Sequence, residues 1–224
     1  MRGNSDHTSA AEPVRAAPRR RSHSTIREYA ESLIIAVLLA LALRTFVVQA
    51  FVIPSGSMLP TLQIGDYLLV NKLVYRFRPI QRGDVIVFKF PRDESQDFIK
   101  RVVGLPGETV EIRGRHVLIN GRELTEPYAM YQEPPEFRPP AGTQVSRTVI
   151  PPGHLFVMGD NRDNSLDSRA WGLLDRAKVV GEASIIYFSF RSEAIPHDTL
   201  LPGFLYALVH PSLERWERIG HLVQ

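Results

Sequence analysis

Apolar residues follow two different patterns along the chain. Residues 32–43 read SLIIAVLLALAL, almost wholly apolar, and after Arg44 and Thr45 the run resumes as FVVQAFVI up to Pro54. A helix that is apolar all round must be covered by a core or by a bilayer. A bilayer span needs about 20 residues. The run reaches that length if the helix begins near residues 26–29 and Arg44 sits at its far end, the guanidinium snorkelling to the headgroups. Beyond Pro54 the pattern changes. Residues 66–75 (DYLLVNKLVY), 84–90 (DVIVFKF), 98–104 (FIKRVVG), 109–112 (TVEI), 116–120 (HVLIN), 154–159 (HLFVMG) and 183–190 (ASIIYFSF) are short runs of branched and aromatic side chains. Gly, Pro, Asn and Asp bound them, which predicts strands joined by tight turns. The expected class is mainly β behind an N-terminal transmembrane helix.

The remaining stretches carry weaker patterns. Residues 1–24, rich in Arg, Ser, Pro and Ala, have no apolar period and read as a flexible tail. Residues 122–152, with Pro134, Pro139, Pro140 and Pro151, read as an extended insertion. Residues 201–210 (LPGFLYALVH) are too short for a second span. Residues 213–223 (LERWERIGHLV) suit a short amphipathic helix that brings Leu213, Trp216 and Val223 together as a packing element.

Charge refines this picture. The net charge is +3, but residues 1–27 hold Arg2, Arg15, Arg19, Arg20, Arg21 and Arg27 against Asp6 and Glu12. A basic tail ahead of an apolar run is a topology signal: the N-terminus stays in the cytoplasm and residues after about 48 lie on the other side. No aromatic and basic residues interleave as in base-stacking surfaces, so no nucleic-acid partner is expected. Two other readings of the apolar run are a cleaved secretory signal and a buried soluble helix. The first meets a poor small-residue cleavage pattern and no convincing twin-arginine context. The second meets a strand-rich chain of 224 residues with little core to hide a helix. The chain has no cysteine, which excludes disulfides, thiolate metal sites and a cysteine nucleophile.

Three segments could carry chemistry. Residues 54–61 (PSGSMLPT) form an irregular turn that can present a hydroxyl and backbone N–H groups together, although Ser-Gly-Ser on its own reads first as an ordinary loop. A serine nucleophile needs a base, and the seven histidines are scattered. The alternative base is a neutral lysine, which requires burial against apolar neighbours, and an arginine cannot serve. Only Lys72, Lys89, Lys100 and Lys178 are lysines among 27 basic residues. Strand alternation sets Lys100 on one face with Phe98 and Val102, a plausible desolvating wall, with a solvent-snorkelling lysine as the open alternative. Residues 158–169 are dense in Asp and Asn but carry Arg162 and lack the glycine and terminal glutamate of a calcium loop. They read instead as a turn cross-linked by Asx bonds and Asp/Arg pairs, able to hold a hydroxyl such as Ser165 in place.

Taken together, these segments resemble the bacterial type I signal peptidases (leader peptidases), membrane-anchored Ser-Lys serine proteases. PSGSMLPTL (54–62) is similar to the family's nucleophile box, and GDYLLVNK (65–72) and RGDVIVFKFP (82–91) to its following strands. FIKRVVGLPGE (98–108) is similar to its general-base box, and GDNRDNSLDSRAWG (159–172) to its last signature. All five occur in the family's order over about residues 30–190.

The resemblance implies an antiparallel-sheet signal-peptidase fold: a tail over 1–24, an anchor over 25–47, a catalytic β domain over 48–108 and 154–198, a small inserted β subdomain over 109–153 and a C-terminal tail over 199–224. It implies removal of N-terminal signal peptides from secretory preproteins at the outer face of a bacterial inner membrane, with the lipid bilayer as the other partner and no cofactor or metal. Ser57 would attack the scissile carbonyl with neutral Lys100 as base. The Ser55 hydroxyl and the Ser57 N–H would form the oxyanion hole. Ser165 would hydrogen-bond and orient Lys100, while Asp167 and Arg169 brace that loop. Phe51, Ile53, Met58, Leu62, Leu68, Val87, Phe98 and Ile99 would wall two shallow pits that admit small residues at positions −1 and −3, as in Ala-x-Ala ends. Phe98 stands where many members carry tyrosine, which keeps the wall and removes a hydroxyl.

Two rivals remain on sequence grounds. A self-cleaving repressor-type Ser-Lys protease shares the chemistry but lacks an N-terminal span. An inactive membrane-tethered binding protein has no reason to keep Ser57, Lys100 and Ser165 together. The reticulum signal peptidases of eukaryotes carry histidine where Lys100 stands.

Overall fold

The computed structural model describes residues 24–132, 144–195 and 203–223. The expected flexible tail up to residue 23, and Pro134, Pro139 and Pro140, lie outside the described residues. By compactness the chain divides into two units, 1–41 and 42–224.

The described part of the first unit is the body of helix α1 (Ser24–Phe46), whose last turn, with Arg44, belongs to the second unit. The stretch Arg27–Phe46 is long and apolar enough to cross a bilayer, and none of it is buried in protein. A helix apolar all round and uncovered by protein is not a core helix.

The second unit holds two antiparallel sheets. The larger comprises β1 (Val48–Val52), β2 (Asp66–Asn71), β3 (Val85–Phe90), β4 (Asp93–Gly104), β9 (His154–Met158), β10 (Leu174–Asp175) and β11 (Val179–Ser189). Its strand order is β1-β2-β11-β3-β4-β9-β10, with every neighbouring pair antiparallel. The smaller comprises β5 (Thr109–Arg113), β6 (His116–Ile119), β7 (Arg122–Glu123) and β8 (Val145–Val149) in the order β7-β6-β5-β8. Its strands fall within residues 109–153 and belong to the same compact unit as the larger sheet.

Burial explains the strand pattern. In β2, Asp66, Leu68 and Val70 are buried while Tyr67, Leu69 and Asn71 are half-buried, as period-2 geometry requires. β3 lies mid-sheet and is buried on both faces: Val85 and Val87 join one apolar cluster, Ile86 and Phe88 another. A third cluster, including Val103, Val110, Ile119, Phe156 and Met158, joins the ends of β4 and β9 to the smaller sheet.

Four elements differ from the sequence expectation. Residues from Val48 onward, just past the expected anchor of 25–47, pair with β2 and form a strand that the sequence pattern did not mark. The run 66–75 splits at Asn71. Its Oδ1 accepts from Leu73 N at 2.9 Å and Val74 N at 3.1 Å, turning the chain into the short helix α2 (Val74–Phe77). β8 forms inside the Pro-rich stretch, where the apolar pattern marked no strand of its own, although the stretch falls within the expected inserted β subdomain. In the tail the helix is Gly203–Val209, one segment earlier than expected. Residues 213–223 instead follow the β11 backbone, with Arg215 N on Ser189 O at 2.9 Å, Ile186 N on His221 O at 3.0 Å and Val223 N on Ser184 O at 3.0 Å. Backbone groups offered by an irregular strand outcompete a short helix that is marginal on its own.

Candidate active site

The loop between β1 and β2 carries Ser57 in the middle of a one-turn 3₁₀ helix, Gly56–Met58. Met58 and Leu62, both fully buried, root this loop in an apolar cluster with Ile53, Leu68 and Val87. Full burial of such side chains is worth roughly 1.5–3 kcal/mol each. Ser57 itself is only half-buried, and the preceding Ser55 is extended and exposed.

Lys100 lies on β4 and is 4% exposed. Its Nζ donates to Ser57 Oγ at 2.8 Å and to Ile99 O at 2.8 Å, and stands 5.5 Å from the centroid of the Phe98 ring. Burial lowers its pKa from 10.5 to about 8, because the cation loses water. Asp167 and Asp160 pull the value back up, and Arg169 pushes it down. An amine with that pKa is substantially neutral at mildly alkaline pH.

The loop after β9 supports both residues. Asn161 Nδ2 donates to Gly56 O at 3.0 Å, and Asn161 N donates to Ser57 O at 3.2 Å. Gly159 permits the approach: a Cβ there would stand 2.2 Å from Ser165 Oγ and 2.4 Å from Ser57 O. Asp167, fully buried, accepts from Gly159 N at 3.0 Å and pairs with Arg169 Nε and Nη2, each at 2.8 Å. Burial alone would raise the Asp167 pKa, but Arg169 and the Gly159 N–H outweigh it and hold the carboxyl below its usual value. Asp167 also caps the short helix α3 (Ser168–Trp171). Ser165 Oγ is buried and has no hydrogen-bond partner in full bonding geometry, yet it lies close enough to Asp167 to help hold that carboxyl low. The expected Ser165–Lys100 bond is therefore absent from this arrangement, since Lys100 directs its donors to Ser57 and Ile99.

Of the expected pocket walls, Phe98 and Ile99 line an open cleft of about 430 Å³ beside Ser57 and Lys100, together with Pro54, Gly56, Gln96, Asp97, Asn164 and Leu166. Ile53, Met58, Leu62, Leu68 and Val87 are buried in the cluster beneath, with Phe51 and Ile99 packed against it. Ser55 lines the same cleft. Among the described residues no group of three or more His, Asp or Glu side chains could hold a metal ion.

Sequence reasoning gave no role to a second buried network that fixes these loops. Arg101, beside Lys100 on β4, makes a bidentate pair with Asp160 at 2.8 and 2.7 Å and donates to Gly83 O at 2.8 Å. Thr61 Oγ1 donates to Asp160 Oδ2 at 2.6 Å. The Ser57 loop, the Lys100 strand and the Asp160 loop thus share one carboxylate. The Asp/Arg density of 158–169 hinted at such pairing, but the partner 59 residues away in sequence could not be read from it.

A family profile described as "Signal peptidase, peptidase S26" matches residues 26–188. The chain belongs to that signal peptidase family. It is 42% identical over 188 residues to a signal peptidase I of Leptolyngbya laminosa, covering 81% of this chain and 88% of that protein. It is 33% identical over 253 residues to a signal peptidase I of Aquifex aeolicus, covering 87% and 98% respectively. A crystal structure of a signal peptidase I from Enterococcus faecalis is similar over 48% of this chain and 98% of that one, at 33% identity and a TM-score of 0.41. As a peptidase of this family the chain is a serine endopeptidase, mainly of antiparallel sheet, with an apolar N-terminal helix.

Proposed function

We propose that the chain is a membrane-bound signal peptidase I that removes N-terminal signal peptides from exported preproteins, with Ser57 as nucleophile and Lys100 as general base. One observation carries this reading: a buried lysine with its pKa brought to about 8 stands 2.8 Å from the hydroxyl of a serine on an exposed cleft. That is within the reach a base needs to take the nucleophile's proton.

Neutral Lys100 takes the Ser57 proton as Oγ attacks the scissile carbonyl carbon. The C=O electron pair moves onto oxygen, where the Ser57 N–H and the Ser55 hydroxyl donate to it. When the tetrahedral centre collapses, the C–N bond breaks and the Lys100 ammonium returns the proton to the leaving amine, the new N-terminus of the mature protein. The signal peptide remains as an ester on Ser57 Oγ. A water, deprotonated by Lys100, attacks that ester; the acyl C–Oγ bond breaks, the Lys100 ammonium returns the proton to Ser57 Oγ, and the signal peptide leaves with a new C-terminal carboxyl group. Ser165 supports the charge pattern around Lys100 through Asp167 and Arg169. Phe98 and Ile99, above the Ile53–Met58–Leu62–Leu68–Val87 cluster with Phe51, would meet small side chains at positions −1 and −3.

The basic residues 1–27 support a cytoplasmic N-terminus, with helix α1 as an uncleaved single span and the second unit on the outer face of the inner membrane. The residue ranges 25–47 for the anchor, 48–108 with 154–198 for the catalytic part, and 109–153 for the insertion remain our division of the chain.

Incubation of the detergent-solubilised protein with a preprotein ending in Ala-x-Ala tests the reading. Wild type is expected to cut at that junction, and Ser57→Ala, Lys100→Ala and Lys100→Arg are each expected to lose cleavage. An arginine variant that still cuts would remove Lys100 from the base role, because guanidinium does not deprotonate. An uncut preprotein with wild type would sink the whole assignment.

A further inference from the structure

Near the end of helix α1 lies a second cleft, of about 480 Å³, distinct from the one at Ser57. Its walls include Thr45, Phe46, Lys72, Arg76, Lys89 and Asp97, so three cations face one carboxylate. Lys89 pairs with Asp97 at 2.9 Å. Lys72 Nζ donates to Thr45 O at 2.7 Å, which leaves the ammonium two further donors. Arg76 is exposed on α2, and its guanidinium makes no ion pair or hydrogen bond among the described residues. Two cations are therefore uncompensated on one concave surface.

The surroundings are those of an interface between lipid and water. Thr45 and Phe46 follow Arg44 at the end of the apolar run 32–43, so a chain whose helix crosses the bilayer holds them at headgroup level. Phe46 is 62% exposed, and Phe77, next to Arg76, is 85% exposed. Exposed aromatic rings beside open cations suit acyl chains meeting phosphates. Two of the four lysines of an arginine-rich chain line this one cleft.

We infer that the Lys72–Arg76 cleft binds the phosphate of an anionic phospholipid headgroup in the leaflet into which helix α1 emerges. This rests on the membrane-bound reading above. Lys72 and Arg76 would each donate to phosphate oxygens, with Phe46 and Phe77 against the upper acyl chain. Asp97 lines both clefts, so a bound headgroup would stand directly beside the substrate cleft.

Native mass spectrometry of the full-length protein in detergent, titrated with phosphatidylglycerol or phosphatidylcholine, tests the site. Saturable retention of phosphatidylglycerol in preference to phosphatidylcholine is expected. Lys72→Gln and Arg76→Gln should each weaken that retention by about fivefold, the share of one basic residue at an anionic surface. Cleavage of a soluble peptide by either variant in lipid-free detergent should match wild type. Equal retention of both lipids, or unchanged retention in both variants, would overturn the site. Displacement of the lipid by millimolar inorganic phosphate would make it a site for soluble phosphate and overturn the lipid assignment. Alkaline carbonate extraction of native membranes separates the two readings. A protein that washes off has no span, whereas one that stays embedded but ignores lipid charge has a span without this site.

Discussion

Burial at position 100 both favours the neutral amine that the proposed base role needs and destabilises the fold. With a folded pKa of about 8 against 10.5 when unfolded, Lys100 binds its proton more weakly in the native state. Below pH 8 both states are protonated, and the buried cation costs about 3 kcal/mol at 1.36 kcal/mol per pKa unit. The cost fades as pH rises from about 8 to 10.5. Lys100→Met should therefore raise stability at pH 6–7 by about that amount, with the advantage shrinking toward pH 10 in urea titrations. Cleavage by wild type should rise through pH 8 as Lys100 becomes neutral, and kcat/KM against pH reads that step directly. Gly159 carries a second residue-scale prediction. A methyl group there would meet Ser57 O at 2.4 Å, backbone that cannot give way cheaply, so Gly159→Ala should lower kcat by about 100-fold through misplacement of Ser57. Lysine scarcity and strand alternation made Lys100 a candidate in the sequence, and only the order of the five family-like segments singled it out. Its 2.8 Å contact with Ser57 was not legible there, because 43 residues separate them.

At the scale of elements, the loop from Ser57 to Asp66 is irregular and is held from three directions. β4 reaches it through Lys100 and Arg101, the Asp160 loop through Asn161, and the C-terminal segment through Arg218. Arg218 Nη2 donates to Thr61 O at 2.9 Å, and the same guanidinium pairs with the fully buried Asp66. Ser189 Oγ donates to that carboxylate at 2.6 Å. Arg215 adds bonds to Gln63, Ile64 O and Phe190 O. Removing one partner of a buried ion pair costs about 3–5 kcal/mol, so Arg218→Ala should show a loss of that order in urea unfolding. Trp216→Ala, two residues away and 64% exposed, should stay within about 0.5 kcal/mol. A helix was expected over 213–223 because Leu213, Trp216 and Val223 fit a helical face. Their neighbours Arg215 and Arg218 find buried acceptors only when the chain runs along β11, and that outweighs helical periodicity.

For the whole molecule, both sheets and their three apolar clusters lie within residues 42–224. A chain beginning at residue 42 should therefore unfold within about 2 °C of the full-length protein by differential scanning calorimetry. It should still cut a soluble peptide, while losing activity on preproteins presented in vesicles. The sequence by itself determined the apolar helix and most strands, because burial of alternating or continuous apolar runs is a local pattern. Through its resemblance to the signal peptidases it also pointed to Ser57 and Lys100 as the candidate hydroxyl and amine. Tertiary structure alone decided that Ser57 meets Lys100, that Asp160 joins Arg101 and Thr61, and that the C-terminal arginines clamp the loop carrying Ser57. These pairings depend on antiparallel strand order and on loop approach across many residues, and no spacing along the chain encodes either.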